Sequence, residues 1–375
     1  MLLAPIGVLG ILHPDAELAV AAAAKETNIP LILSTAATRS MEEVAEVDNH
    51  KWYQLYWWVE SPIVVIPDSI FPRPYSDEIT VSLLKRAKKN GYSALVVTLD
   101  TMSIGWRPHD LDTAYLPFVH SYGCQNGFSD PVFMARFNKE PEKKSELVFP
   151  YEPYVINVRI GQGDHSAKEM VNMGQEWIRE ISSGRQRSWD ELKLLRDNWE
   201  GPLVLKGIQC AADAELAIDW GADGIVVSNH GGRQVDGGVS ALWSLEQIMK
   251  SRKVKEAQAA GKFTVLFDSS IRNGPDIFKA LALGAQAVLR KPCSLFNSLR
   301  GDILLHSSVT DHYQSPHVLS VGRPYAYGLA LGGADGVKHV IKTILAELEV
   351  TMGLSGYKSI DEIQGKAEEI LTKVE

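Results

Sequence analysis

The densest chemical signal in the chain is the run Ser228-Asn229-His230-Gly231-Gly232-Arg233-Gln234. A histidine titrates near neutrality, so it can take a proton from a substrate and later release it. Arg233, three residues on, offers a planar fork suited to a carboxylate. The two glycines permit a tight turn and close backbone approach by a ligand. The plainer reading is a loop histidine beside an ordinary surface arginine. Lys206 closes the apolar run Leu203-Val204-Leu205-Lys206-Gly207. An amine there could form a Schiff base, hold an anion, or bury its stem and snorkel. Asp268, with Ser269, Ser270 and Arg272, ends a second apolar run, and Gly322-Arg323-Pro324 forms a turn further on. Ser34, Gln54, Tyr56, Thr98 and Asp100 likewise stand where apolar runs finish.

Those runs are the elements that must position the polar set. Short β-branched or aliphatic stretches fall at residues 2–6, 30–34, 52–56, 94–98, 202–206, 224–228, 263–268 and 285–289. Several are apolar almost throughout, as strands buried on both faces should be. Helical patterns separate them at 15–27, 41–49, 77–90, 189–198, 211–220, 245–259 and 275–283, and Gly91, Gly221 and Gly284 follow three of these as helix ends prefer. Eight strands alternating with helices predict a single α/β domain over residues 1–375, a (β/α)8 TIM barrel. An open doubly wound sheet would want a G-x-G-x-x-G fingerprint after its first strand, which is missing. Barrel chemistry sits at the C-terminal ends of strands, and every polar residue named above falls at such an end. Ionisable groups are rarely buried without partners, so a set of them on successive strands points to function. The loops after strands seven and eight often build a phosphate site, for which Arg272, Gly322 and Arg323 are placed.

Three segments exceed a compact barrel. Residues 107–187 form a long polar insertion after strand four, where a lid over the catalytic face is expected. Residues 59–74 carry four prolines, and residues 290–320 lack clear periodicity. The net charge of −8, from 38 Lys+Arg against 46 Asp+Glu, argues against a nucleic-acid binder that works through a general basic field. No stretch approaches the ~18 apolar residues of a membrane span. The apolar opening lacks a basic n-region and reads as a strand, not a signal peptide, so an intracellular location, cytoplasmic or organellar, is expected. Cys124, Cys210 and Cys293 are scattered, which suggests neither a disulfide framework nor a metal site.

The polar set resembles that of the FMN-dependent α-hydroxy acid dehydrogenases and oxidases. Ser228–Gln234 is similar to that family's active-site signature. Gln54-Leu55-Tyr56, Thr98-Leu99-Asp100, Leu205-Lys206-Gly207, Asp268 with Arg272, and Gly322-Arg323-Pro324 follow in family order. Ala4-Pro5-Ile6-Gly7, and Trp106-Arg107-Pro108 through Phe128-Ser129-Asp130-Pro131, look most like lactate 2-monooxygenase within it. The resemblance implies an FMN cofactor and oxidation of a small L-2-hydroxy acid, L-lactate, with oxygen as acceptor, giving acetate, CO2 and water. It implies His230 as the base, oriented by Asp100, with Arg233 and Arg107 on the substrate carboxylate and Tyr56 near its hydroxyl or carboxylate. Lys206 would stabilise negative charge in the reduced flavin. Ser34, Gln54, Thr98 and Ser228 would bond the isoalloxazine edge. Asp268 would bind the ribityl chain, and Arg272, Gly322 and Arg323 the phosphate. A homo-oligomer, a tetramer in this family, is also implied. Gly7, where other members carry a larger side chain, would relax the pocket beside the flavin.

The chain departs from the family pattern in four places. It starts at the first barrel strand, without the family's N-terminal segment and its substrate-binding tyrosine. Ser270 stands where a glycine is usual, and segments 59–74 and 290–320 look like insertions. Retained introns in a faulty gene model would explain the insertions and the missing start, and would make an inactive product. A lactate or glycolate oxidase that releases the 2-keto acid and H2O2 is the nearest alternative activity. A Schiff-base lyase on Lys206 is the rival from another class. The final Lys373-Val374-Glu375 is not a peroxisomal address.

Overall fold

The computed structural model describes residues 1–48, 50–57, 77–113, 116–182, 186–286 and 320–372. Within them one sheet of eight parallel strands is formed by β1 (Leu2–Leu3), β2 (Leu31–Ser34), β3 (Lys51–Tyr56), β4 (Leu95–Thr98), β5 (Leu203–Ile208), β6 (Gly224–Val227), β7 (Thr264–Phe267) and β8 (Ser320–Val321). Their spatial order is β7-β6-β5-β4-β3-β2-β1-β8, so each strand from β2 to β7 lies beside its predecessor and β8 lies beside β1. Register places Ser34 opposite Gln54, Tyr56 opposite Thr98, and Thr98 opposite Lys206.

Strand periodicity splits the side chains between two cores. Leu2, Ile32, Trp52, Ala94, Val96, Val204, Val226 and Leu266 form one cluster. Their chain neighbours, Leu3, Leu31, Tyr53, Val97, Leu205 and Phe267 among them, join a second core shared with the helices. The first cluster draws on every strand from β1 to β7 yet remains a single unit, so the sheet is curled with this cluster on its concave side. Two residues further along β2 to β7, on that same face, the side chains turn polar: Ser34, Gln54, Thr98, Lys206, Ser228 and Asp268, all buried. An apolar plug thus carries a polar layer at the C-terminal ends of the strands.

The helix Ala16–Thr27 buries Ala19, Val20, Ala23 and Ala24, small side chains that let it lie close against the C-terminal helix Arg323–Leu354. The helix Met41–Val47 starts on a capping box, in which Ser40 Oγ accepts from the Glu43 N–H and the Glu43 carboxylate accepts from the Ser40 N–H.

One expected element is corrected. The pattern at 245–259 is two helices, Ala241–Ile248 and Arg252–Ala259. They are separated because Ser251 caps the second, its Oγ accepting from the Val254 N–H at 3.3 Å. Of the eighth strand expected at 285–289 the structure describes only Ala285 and Gln286, whose N–H donates to the Val265 carbonyl at 2.8 Å beside β7; among the described residues β1 pairs with Ser320–Val321. Residues 287–289, the segments 59–74 and 290–319, Cys293 and the final tripeptide lie outside the described residues. The helix Arg323–Leu354, broken at Gly332–Gly333, was not anticipated at all.

Residues 107–187 do not form one uniform overhang. Cys124, Phe128, Phe133, Met134 and Trp177 are buried in the outer core, and the Asn126 side chain donates to the carbonyls of Ser34 and Thr35 at 3.1 and 3.2 Å. Among the described residues no helix is long and apolar enough to cross a membrane. Nor, among them, is any group of three or more His, Cys, Asp or Glu placed to hold a metal ion.

Candidate active site

Across β2, β3 and β4 the polar layer is a hydrogen-bonded row. Ser34 Oγ donates to Gln54 Oε1 at 3.0 Å, and Gln54 Nε2 donates to Thr98 Oγ1 at 2.8 Å. Register pairs Ser34 with Gln54 and Gln54 with Val96, and from there the Gln54 amide reaches two residues along β4 to Thr98. The row continues to Lys206 on β5, whose Nζ donates to Ser228 Oγ at 3.1 Å.

Lys206 Nζ stands 3.7 Å from both Asp100 Oδ2 and Asp268 Oδ2. Gly207 makes this approach possible, because a Cβ there would meet the Asp100 Cβ and Cγ at 2.8 and 2.9 Å. Burial works to neutralise Lys206 and Asp100, but the opposite charges prevail. Burial lowers the Lys206 ammonium, yet Asp268 and Asp100 hold it above its usual range. Burial raises Asp100, yet Lys206 and the hydrogen bond from His230 bring it down to about 2. Asp100 Oδ2 is buried and has no hydrogen-bond partner.

His230 follows β6. Its Nδ1 lies 2.8 Å from Asp100 Oδ1 and 3.0 Å from Thr101 Oγ1, and the Thr101 hydroxyl donates to the same carboxylate oxygen at 2.9 Å. With the carboxylate accepting, the proton belongs on Nδ1 and Nε2 is left as the basic nitrogen. Burial and then the Lys206 charge lower the pKa of His230, against the pull of Asp100, so the imidazole is neutral near neutral pH. His230 has a φ of 57° and Ser269, after β7, a φ of 69°. This left-handed backbone costs a side-chain-bearing residue about 1–2 kcal/mol.

Arg107 and Arg233 converge on one carboxylate oxygen. Asp110 Oδ2 lies 3.3 Å from Arg233 Nη2 and 3.7 Å from Arg107 Nη1. Arg107 also donates through Nε to the Arg233 carbonyl at 3.0 Å, and through Nη2 to Gln234 Oε1. Burial and then the neighbouring Arg233 charge lower the Arg107 guanidinium, which marks a pair held together by a shared anion. Tyr56 ends β3 within electrostatic reach of Lys206, Asp100, Arg107 and Arg233, and burial pushes its phenol up.

The residues expected at a phosphate are less tightly gathered. Arg323 Nη2 donates to the Gly231 carbonyl at 3.2 Å, and Gly322 and Arg323 open the C-terminal helix directly after β8. Arg272 follows β7 with an exposed side chain, and its N–H donates to Asp276 Oδ2 at 3.1 Å. The reading of Gly7 as slack in a pocket is corrected: a Cβ there would meet the Ala36 Cβ and carbonyl oxygen at 2.9 Å, so close packing requires the glycine. Thr101, Ser269 and Asp110 had no role assigned from sequence. Each lies one to three residues beyond a residue that did (Asp100, Asp268, Arg107), and that proximity was the only available signal.

The donor set suits a flat heterocycle edged with carbonyls and N–H groups. Gln54, Ser34 and Thr98 can each donate and accept, Lys206 has one hydrogen bond for three protons, and Asp100 Oδ2 is unpaired. The FMN-dependent dehydrogenase family matches residues 1–66, 69–291 and 317–370. An FMN-dependent alpha-hydroxy acid dehydrogenase of Penicillium citrinum is 38% identical over 362 residues, 96% of this chain and 71% of its own. An L-lactate oxidase of Lysinibacillus sphaericus is 33% identical over 363 residues, 96% of this chain and 72% of its own. The solved structure of a mandelate oxidase superposes with a TM-score of 0.63 at 28% identity, over 97% of this chain and 77% of that one. All eight described strands fall inside the family match, and the chain belongs to the FMN-dependent α-hydroxy acid dehydrogenases, oxidoreductases that act on 2-hydroxy acids.

Proposed function

We propose that the protein oxidises L-lactate with oxygen as acceptor, in a closed (β/α)8 barrel roofed in part by the segment after β4, and that it yields acetate, CO2 and water. Bound FMN would accept the two electrons of the substrate C–H bond and pass them to oxygen. Ser34, Gln54, Thr98 and Ser228 would hold its ring edge, Asp268 its ribityl chain, and Arg272, Gly322 and Arg323 its phosphate. Lys206 would offset the negative charge gained on reduction.

The observation that carries this reading is the convergence of Arg107 and Arg233 on a single carboxylate oxygen beside His230, whose Nδ1 is committed to Asp100. A substrate carboxylate would take the position held by Asp110, with both guanidinium groups donating to it. Its hydroxyl would then face Tyr56 and His230 Nε2. The imidazole takes a proton, and Asp100, ionised throughout, stabilises the imidazolium.

The fate of the keto acid separates two outcomes. Pyruvate retained beside the H2O2 formed from oxygen would be oxidised by it to acetate and CO2, the peroxide becoming water, whereas pyruvate released first leaves H2O2. The helix Pro108–Asp112 supports retention, because it carries Asp110 onto the arginine pair and so covers the carboxylate position. Turnover of L-lactate under oxygen, scored for acetate against pyruvate plus H2O2, tests this. Acetate is expected; pyruvate with stoichiometric H2O2 would replace the proposal with an oxidase.

A further inference from the structure

The loop that carries His230 is tied down by side-chain oxygens at every backbone N–H from 229 to 232. Ser228 Oγ accepts from the His230 N–H at 3.1 Å, and Asn229 Oδ1 accepts from the Gly232 N–H at 3.0 Å. The remaining two N–H groups go to one atom. Ser269 Oγ accepts from Asn229 at 3.2 Å and from Gly231 at 3.0 Å, flanking the histidine on both sides. Its own proton goes to Asp268 Oδ1 at 2.9 Å, the carboxylate whose other oxygen faces Lys206. Ser269 is 9% exposed and adopts a φ of 69°, a conformation in which glycine would be unstrained. Holding a hydroxyl-bearing residue there brings the hydrogen bonds to Asn229, Gly231 and Asp268, which a glycine could not make.

We propose that Ser269 is a positioning residue, which clamps the His230 loop to the end of β7 and keeps the imidazole seated on Asp100. Among the described residues, no other side chain bonds the backbone on both sides of the histidine. Asp100 after β4, Lys206 on β5 and Asp268 after β7 act on the imidazole through their charges, and Thr101 Oγ1 lies 3.0 Å from its Nδ1. None of them restrains the backbone at 229 and 231. Without the clamp, His230 Nε2 would spend less time within reach of the substrate proton, and small displacements of a catalytic group can cost up to about a hundredfold in rate.

This inference rests on His230 being the base. The experiment compares Ser269→Gly and Ser269→Ala with the wild-type holoenzyme, using L-lactate and expressing kcat per bound flavin. Both variants lose the hydroxyl; the alanine keeps the strained backbone and the glycine relaxes it. Expected is a fall in kcat of about tenfold to a hundredfold in both. KM should stay within about twofold, because Arg107 and Arg233 are untouched. Amide exchange over residues 229–232 should quicken in both. A purely structural role would lower flavin content and leave kcat per flavin unchanged. Either variant turning over at the wild-type rate per flavin, with unchanged exchange in the loop, overturns the proposal. His230→Gln serves as the control. If it retains wild-type kcat, the assignment of the base has failed; if it is inactive while Ser269→Gly is not, only the clamp has.

Discussion

Two buried charge clusters lie on opposite sides of the same sheet wall, and they are built to different standards. Outside the sheet, Arg86 spends all its donors. It bonds Glu42 Oε1 and Oε2 at 3.0 and 2.9 Å, Asp130 Oδ2 at 3.0 Å, the Asn126 carbonyl at 2.8 Å and Ser129 Oγ at 2.6 Å. Asp130 is equally saturated, accepting from the N–H groups of Val132 and Phe133 and from the Ser82 hydroxyl. On the concave side, Lys206 has a single hydrogen bond at 3.1 Å and stands 3.7 Å from each of two carboxylates, and Asp100 Oδ2 has no hydrogen bond. A cluster that only stabilises can be closed completely, whereas one that must receive a ligand keeps donors and acceptors in reserve. Unspent hydrogen-bonding capacity, more than charge itself, marks the functional side.

The comparison is broken most severely at Asp100. Asp100→Asn is expected to lower kcat by about 10²- to 10⁴-fold, since the imidazolium loses its stabilising partner. The same variant sharpens the pH argument. His230 is held below its ordinary value of 6.5 by burial and Lys206, while Asp100 pulls it up. The neutral imidazole is the base, so the acid limb of kcat/KM lies below pH 6.5 in the wild type and moves to lower pH in Asp100→Asn. An acid limb above 6.5 would show that this balance is wrong.

At the saturated cluster the effect should fall on stability instead. Arg86→Met leaves Asp130, fully buried, without its counter-charge, and breaking such a pair costs about 3–5 kcal/mol. Urea denaturation of the holoenzyme would measure the loss, with kcat per flavin unchanged. A comparable loss of kcat per flavin would mean that the two clusters are coupled through the strands.

The smallest effect is expected at the partly exposed Asp110. Asp110→Asn removes the carboxylate that competes with substrate for Arg107 and Arg233. KM for L-lactate should fall by no more than about fivefold, because exposed ion pairs are worth at most about 1 kcal/mol. Saturation kinetics decide it, and a rise in KM would mean that Asp110 orients the arginines for substrate.

Residue type carried much of this into the sequence. The strand runs at 30–34, 52–56, 94–98 and 224–228 match β2, β3, β4 and β6 closely, because apolar stretches bounded by turns leave little choice of period. The polar residues ending those runs share one face for the same reason: a strand alternates strictly, so Ile32 and Ser34, or Val204 and Lys206, point the same way. Boundaries set by a single cap were harder to read. The break at Ser251 rests on one hydroxyl inside a continuous helical pattern. The pairing of β1 with Ser320–Val321 was not legible either, because composition says nothing about partners.

What residue order alone could establish was the list of reactive side chains and the surface each strand turns inward, since both follow from chemistry and a period of two. Which of those side chains meet was settled by the curl of the sheet. The 2.8 Å contact between His230 and Asp100 spans 130 residues of chain, the meeting of Arg233 with Asp110 spans 123, and the Ser269 clamp reaches 38 to 40 residues back. Contacts at such separations depend on how β4, β6 and β7 are stacked and twisted against one another, a property of the packed sheet that no local window of sequence contains.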